Sequence, residues 1–114
     1  MPKGPVYKAL LKAAKKRAQN EVAFQKANEI LMKAAKATAS PGYRKDTFPF
    51  TCECSDLKCG KAVELSIDQF ERVLKCSAWF VIEPHHDQPD IDKVVEKHHT
   101  YWVVAKHPGL LAKS

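Results

Sequence analysis

The sequence predicts an α+β fold, with one long basic helix at the N-terminus followed by a small, mostly antiparallel sheet that carries one short helix. Three observations point there. Residues 6–38 contain neither Pro nor Gly and are dominated by Ala, Lys, Leu, Gln and Glu, all good helix formers. From residue 47 the chain breaks into short β-branched and aromatic runs punctuated by Pro, Gly and Asp. Three of the four cysteines fall between Cys52 and Cys59, at the junction of the first two of those runs.

Pro5 stands where a first-turn proline is tolerated. Val6, Leu10, Ala14 and Ala18, then Phe24, Ala27, Leu31, Ala34 and Ala35, recur at helical spacing and extend the helix from about 6 to 38. The two stripes differ in phase, which leaves room for a break near Asn20. Phe24, Ile30, Leu31 and Met32 mark the second half as the part that docks on a core, while Lys12, Lys15, Lys16 and Arg17 mark the first half as solvated. Ser40 to Asp46 is loop by composition.

Thr47 to Cys52 reads as a strand that Pro49 confines to an edge or bulge, and Lys61 to Ile67 alternates as a half-buried strand. Asp68 is a candidate cap for a short helix from Gln69 to about Lys75, with Phe70, Val73 and Leu74 inward. Ala78 to Ile82 is strongly β-prone and stops at Glu83-Pro84. Val94–Lys97 and Tyr101–Ala105 form a hairpin about His98-His99-Thr100, with a helical turn over Asp92 to Glu96 as the alternative. The division expected is a basic helix over 1–40, an α+β domain over 41–106 and a flexible tail over 107–114.

The 45% hydrophobic fraction allows a modest core, but a β half of about 60 residues gains much from an added staple. No apolar run approaches the roughly 18 residues of a membrane span, and no apolar signal-peptide core follows Met1, so a cytoplasmic protein is expected. The net charge of +6 is uneven: residues 1–45 carry eleven Lys or Arg against Glu21 and Glu29, whereas residues 46–114 carry eight basic and eleven acidic residues. That asymmetry points to an anionic partner for the first segment, contacted by Lys8, Lys12, Lys15, Lys16 and Arg17.

Cys52, Cys54 and Cys59 form a C-x-C-x4-C pattern. Ligands two apart leave a strand end on one side, and the turn at Cys59-Gly60 returns a third thiolate, as a tetrahedral Zn2+ site requires. His86 is the preferred fourth ligand, His85 the second choice, and Cys76 the competitor that would make the site all-cysteine. Ordinary buried thiols or a redox pair are the bland readings. Three cysteines among Glu53, Asp56 and Lys58 make a poor apolar core, which favours zinc. Trp79 and Phe80 are expected beneath the zinc loop, His98 and His99 are read as solvated, and His107 falls in the tail.

Phe50-x-Cys52-Glu53-Cys54-x4-Cys59-x3-Val63-Glu64-Leu65-Ser66, then Phe70-Glu71-x-Val73, Phe80-x-Ile82-x-Pro84-x-His86, Val94-Val95-Glu96 and Tyr101-x-Val103-Val104-x-Lys106, together resemble a family of small, mostly uncharacterised actinobacterial proteins with relatives in their phages. The upstream Asn20-Glu21-x2-Phe24-x3-Asn28-Glu29-Ile30 is similar to the helix before the motif in that family. There the loop reads Pro-Gly-His, which places the family histidine on His86 and puts His85 where glycine is usual. The resemblance implies a metal site without Cys76, and no particular activity.

Three function classes follow. A catalytic zinc would keep a water position open, with Glu53 or His85 as general base, but the H-x-E…P-C-x-x-C and H-E-x-x-H signatures are absent. A nucleic-acid binder would contact phosphates through the basic helix, with Tyr43, Tyr101 or Trp102 stacking on bases. The favoured reading is a non-enzymatic zinc-binding interaction protein that binds a larger protein or ribonucleoprotein complex, as a regulator or phage effector of transcription or translation machinery. RNA or DNA binding through the basic helix is the alternative.

Overall fold

A computed structural model describes residues 5–38, 40–76 and 78–106. Helix α1 runs unbroken from Pro5 to Thr38, so no break interrupts it at Asn20. A single 3-10 turn at Tyr43–Lys45 leads into strand β1 (Thr47–Thr51), which pairs antiparallel with β2 (Ala62–Ser66). Helix α2 (Ile67–Leu74) follows directly. Strands β3 (Trp79–Ile82), β4 (Asp92–Lys97) and β5 (Trp102–Lys106) form a second antiparallel sheet in the order β3-β5-β4. The expected α+β fold is what forms, with its strands divided between two small sheets. The tail expected over 107–114 lies outside the described residues.

Local chemistry explains the boundaries. Ser66, not Asp68, caps α2: its hydroxyl accepts from the Gln69 amide while the Gln69 side chain accepts from the Ser66 amide. The helix therefore starts at Ile67, two residues earlier than the Gln69 start that an Asp68 cap would give. Pro49 is tolerated because β1 pairs with β2 alone. The segment Asp92–Lys97 is strand rather than helical turn, with a bulge between Val94 and Glu96.

The core lies between the two sheets and α2. Phe50 of β1 stacks on Phe70 of α2, centroids 4.6 Å apart. Val63, Leu65, Ile67, Val73, Phe80, Val81, Ile82, Val103 and Val104 complete it. Trp79 is only partly buried at its edge.

The way α1 joins this body differs from the expectation. Met32 is buried, but Ile30 is 70% exposed, Leu31 43% exposed and Phe24 half-buried. The inward face is instead Ala18, Glu21, Gln25, Asn28 and Met32, spaced three and four residues apart. It is largely polar. Gln25 donates to the Trp79 carbonyl at 2.7 Å, and Asn28 bonds the backbone of Thr51 in both directions, donating to its carbonyl at 2.7 Å and accepting from its amide at 2.9 Å. Ile30 stands roughly 200° around the helix from Asn28, so fixing Asn28 inward turns Ile30 out.

A second anchor is ionic. The Lys106 ammonium, with no exposed side-chain surface, is paired with both Glu21 and Asp92. Burial pushes the Glu21 carboxyl up to about 7, against the pull of Lys106, and pushes the Lys106 ammonium down. Near the solvent, Arg17 pairs with Asp90 and donates to Gln88 at 2.9 Å.

Candidate metal centre

The cysteines sit in the loop between β1 and β2, residues 52–61, which the Cys52 amide closes by donating to the Lys61 carbonyl at 2.8 Å. Asp56 shapes its far end. Its side chain accepts from the Lys58 amide at 2.9 Å and its carbonyl from the Cys59 amide at 3.1 Å. Gly60 then adopts φ 57°, a left-handed conformation that glycine takes without strain, and the chain re-enters β2 with Cys59 facing back toward Cys52.

The histidine comes from the turn after β3. The His86 amide donates to the Glu83 carbonyl at 3.0 Å, with Pro84 and His85 between them, the arrangement of a tight turn with proline second and a positive φ third. His85 takes that third place with φ 73° and is thereby directed onto Trp102, ring centroids 4.5 Å apart. His86 is directed into the cysteine loop.

Cys52, Cys54, Cys59 and His86 bring one ligand atom each into a cluster in which all four lie within 4.8 Å of one another. His86 Nδ1 is 3.3 Å from Cys59 Sγ and 3.7 Å from Cys52 Sγ. A tetrahedron with Zn–S of about 2.3 Å and Zn–N of about 2.0 Å has edges of roughly 3.5–3.8 Å, so these residues could hold a metal ion with little contraction. Three sulfurs and an imidazole are the soft donor set that tetrahedral zinc takes. Neither His85 nor Cys76 belongs to the cluster.

Backbone amides near the sulfurs favour their anionic form, against the pull of burial. The Glu83 amide donates to Cys52 Sγ at 3.2 Å, and the amides of Asp56 and Lys61 donate to Cys54 and Cys59. Each such bond favours thiolate over thiol. Among themselves the thiols compete: Cys54 and burial push the Cys52 thiol up, Cys54 falls to about 5 beside it, and burial pushes Cys59 up. A divalent cation would replace those shared protons and would be bound more weakly in acid. Cys52 and Cys54 are each 2% exposed, with Cys59 and His86 at the rim.

Glu53, between the two buried cysteines, is the residue whose part the sequence concealed. It is fully buried, and its amide donates to the Val81 carbonyl at 2.8 Å. Its Oε1 accepts from the Val81 amide at 2.8 Å and its Oε2 from Asn28 at 2.9 Å. Burial pushes the carboxyl up to about 8, opposed by those two donors. Glu53 thus joins the cysteine loop to β3 and, through Asn28, to α1. With both oxygens engaged, it is not placed as a general base. The signal was in the helix, where Glu21, Gln25 and Asn28 share one face, but a search for apolar stripes passes over it.

Asn28→Ala should therefore cost about 2–4 kcal/mol, because it strands the Thr51 amide and carbonyl and one oxygen of Glu53. Urea unfolding at saturating zinc would measure this. A loss under about 1 kcal/mol would mean water replaces Asn28 at the junction.

The residues expected to meet an anionic partner all lie on α1, away from the cluster. Lys8, Lys12 and Lys16 are exposed and Lys15 half-buried. Arg17 is engaged with Asp90 and Gln88, so it belongs to the anchor of the helix rather than to its free face. Of the aromatics considered for base stacking, Tyr101 is 1% exposed and so unsuited, and Tyr43 and Trp102 are half-buried. No helix among the described residues is long and apolar enough to cross a membrane. Compared with known proteins, the chain matches no family model, no curated protein and no solved structure.

Proposed function

We propose that this is a non-enzymatic, zinc-stapled interaction protein that presents the outer face of α1 to a larger macromolecular partner in the cytoplasm. A regulator or phage effector acting on transcription or translation machinery is the setting that suits it. The observation that carries the reading is the sorting of charge on α1. Its acids are withdrawn, Glu21 buried and Glu29 half-buried, while Lys8, Lys12, Lys16, Lys26 and Lys33 stand exposed. Zinc bound by Cys52, Cys54, Cys59 and His86 has four protein ligands and no position left for substrate, which makes it a staple. It holds the β1–β2 loop against the turn after β3, on the body where α1 rests.

The test is capture from native lysate by the tagged protein beside a Lys12→Glu/Lys16→Glu/Lys26→Glu variant, with circular dichroism and metal content confirming that both fold. The expected result is a partner recovered by the first and lost, by tenfold or more, by the second. Equal recovery by both would overturn α1 as the binding face.

A further inference from the structure

We infer that the outer face of α1 binds the phosphate backbone of double-stranded DNA; this rests on the reading of α1 as the binding face and names what meets it. Six lysines, Lys8, Lys12, Lys15, Lys16, Lys26 and Lys33, lie within roughly 100° of the helix circumference, opposite Glu21, Asn28 and Met32. Lys12, Gln19, Lys26 and Lys33 follow one another at seven-residue intervals, which keeps the stripe in line along the helix. None of the six lysines has a carboxylate partner among the described residues, whereas Arg17, Lys36 and Lys106 on or against the inner face all do.

From Lys8 to Lys33 the stripe is about 38 Å long, at 1.5 Å per residue, and runs beside about eleven base pairs at 3.4 Å each. A regular polyanion on that scale would meet the stripe along its whole length. Among and beside the lysines the helix offers Ala9, Ala23, Ala27 and Ala34, all exposed and small, so its backbone can approach closely. An α-helix fits the major groove of B-form DNA, about 12 Å wide, but not the narrow major groove of duplex RNA.

Other macromolecules suit the face less well. Protein interfaces are centred on aromatic and apolar anchors and are depleted of Lys, and on this arc Ile30 is the one large apolar side chain among the described residues. Single strands are held by aromatic stacking, and no described side chain of the arc is aromatic. Lysine supplies point charge without the bidentate fork that reads guanine, so the contact is to phosphate and carries little sequence preference.

The experiment is fluorescence anisotropy of the zinc-loaded protein with a labelled 30-base-pair DNA duplex of mixed sequence, titrated across salt. The same strand unpaired, a duplex RNA of that length and polyglutamate are the comparison probes. Neutralising up to six phosphates gives a log–log salt slope near −5, about a thousandfold weakening between 50 and 200 mM salt. Lys12→Gln/Lys26→Gln is expected to reduce the slope by about 2. Lys45→Gln/Lys93→Gln, of equal net charge and off the stripe, is expected to leave it near the parent value. Equal losses in both double variants would overturn the proposal, as would binding of single strand, duplex RNA or polyglutamate as tightly as duplex DNA. If DNA fails but lysine-dependent capture of a protein survives nuclease, the DNA assignment falls while α1 remains the binding face. If neither depends on the lysines, both fall.

Discussion

Cys54→Ser is expected to abolish cooperative folding of the body spanning residues 47–106. Cys54 is 2% exposed, within the four-donor cluster and one residue from Glu53. Serine is a poor zinc ligand, and the binding energy of a structural zinc, about 10–16 kcal/mol in small peptides, is folding energy. That is comparable to the total stability of about 5–15 kcal/mol available to a domain of this size. The variant should lose its stoichiometric zinc by elemental analysis and its sharp thermal transition. A strong chelator should do the same to the parent protein, reversibly on adding zinc. An unchanged melting temperature and metal content in Cys54→Ser would end the structural-zinc reading.

Lys106→Met should be the most damaging change away from the cluster. It leaves Glu21 and Asp92, both buried, without their shared cation. Breaking a buried ionic group in this way costs about 3–5 kcal/mol, which for a chain of this length lowers the melting temperature by well over 10 °C. The loss should depend on pH, with a definite sign. The folded-state pKa of Glu21, about 7, lies above its ordinary value of 4.5, so the folded protein holds more protons than the unfolded chain between those values. Stability from this group is therefore greatest in mild acid and falls as pH rises toward 7. Removing Lys106 withdraws the pull that keeps Glu21 ionisable, so the gap between variant and parent should be wider at about pH 7.5 than at about pH 5.5, both at saturating zinc. A gap independent of pH would show that Lys106 acts by packing alone, over Phe80, whose ring centre its ammonium approaches at 5.3 Å.

The five strands, the hairpin from β4 to β5 and the long helix were legible because each is a local pattern of the chain. The α2 cap was misplaced by two residues because Ser66 and Asp68 are both good caps, and the choice fell to the reciprocal bonds between Ser66 and Gln69. The helix face was misjudged for a deeper reason. Ile30 and Leu31 outrank Glu21 and Asn28 on any hydrophobic scale, yet they face out because Asn28 satisfies the backbone of an edge strand 23 residues away. Nothing within the helix encodes that.

By itself, then, the sequence determined the α+β class, the basic helix and three clustered thiols on a loop between strands. These follow from propensity, periodicity and spacing, which act over a few residues. Only the tertiary structure decided that His86 rather than His85 or Cys76 meets those thiols, since a turn after β3 had to be brought against a loop some thirty residues earlier. It also decided that Arg17 is spent on Asp90 while Lys26 and Lys33 join the free face. Those choices depend on desolvation and on pairing across the fold: a carboxylate or amide goes inward only where a distant partner waits for it.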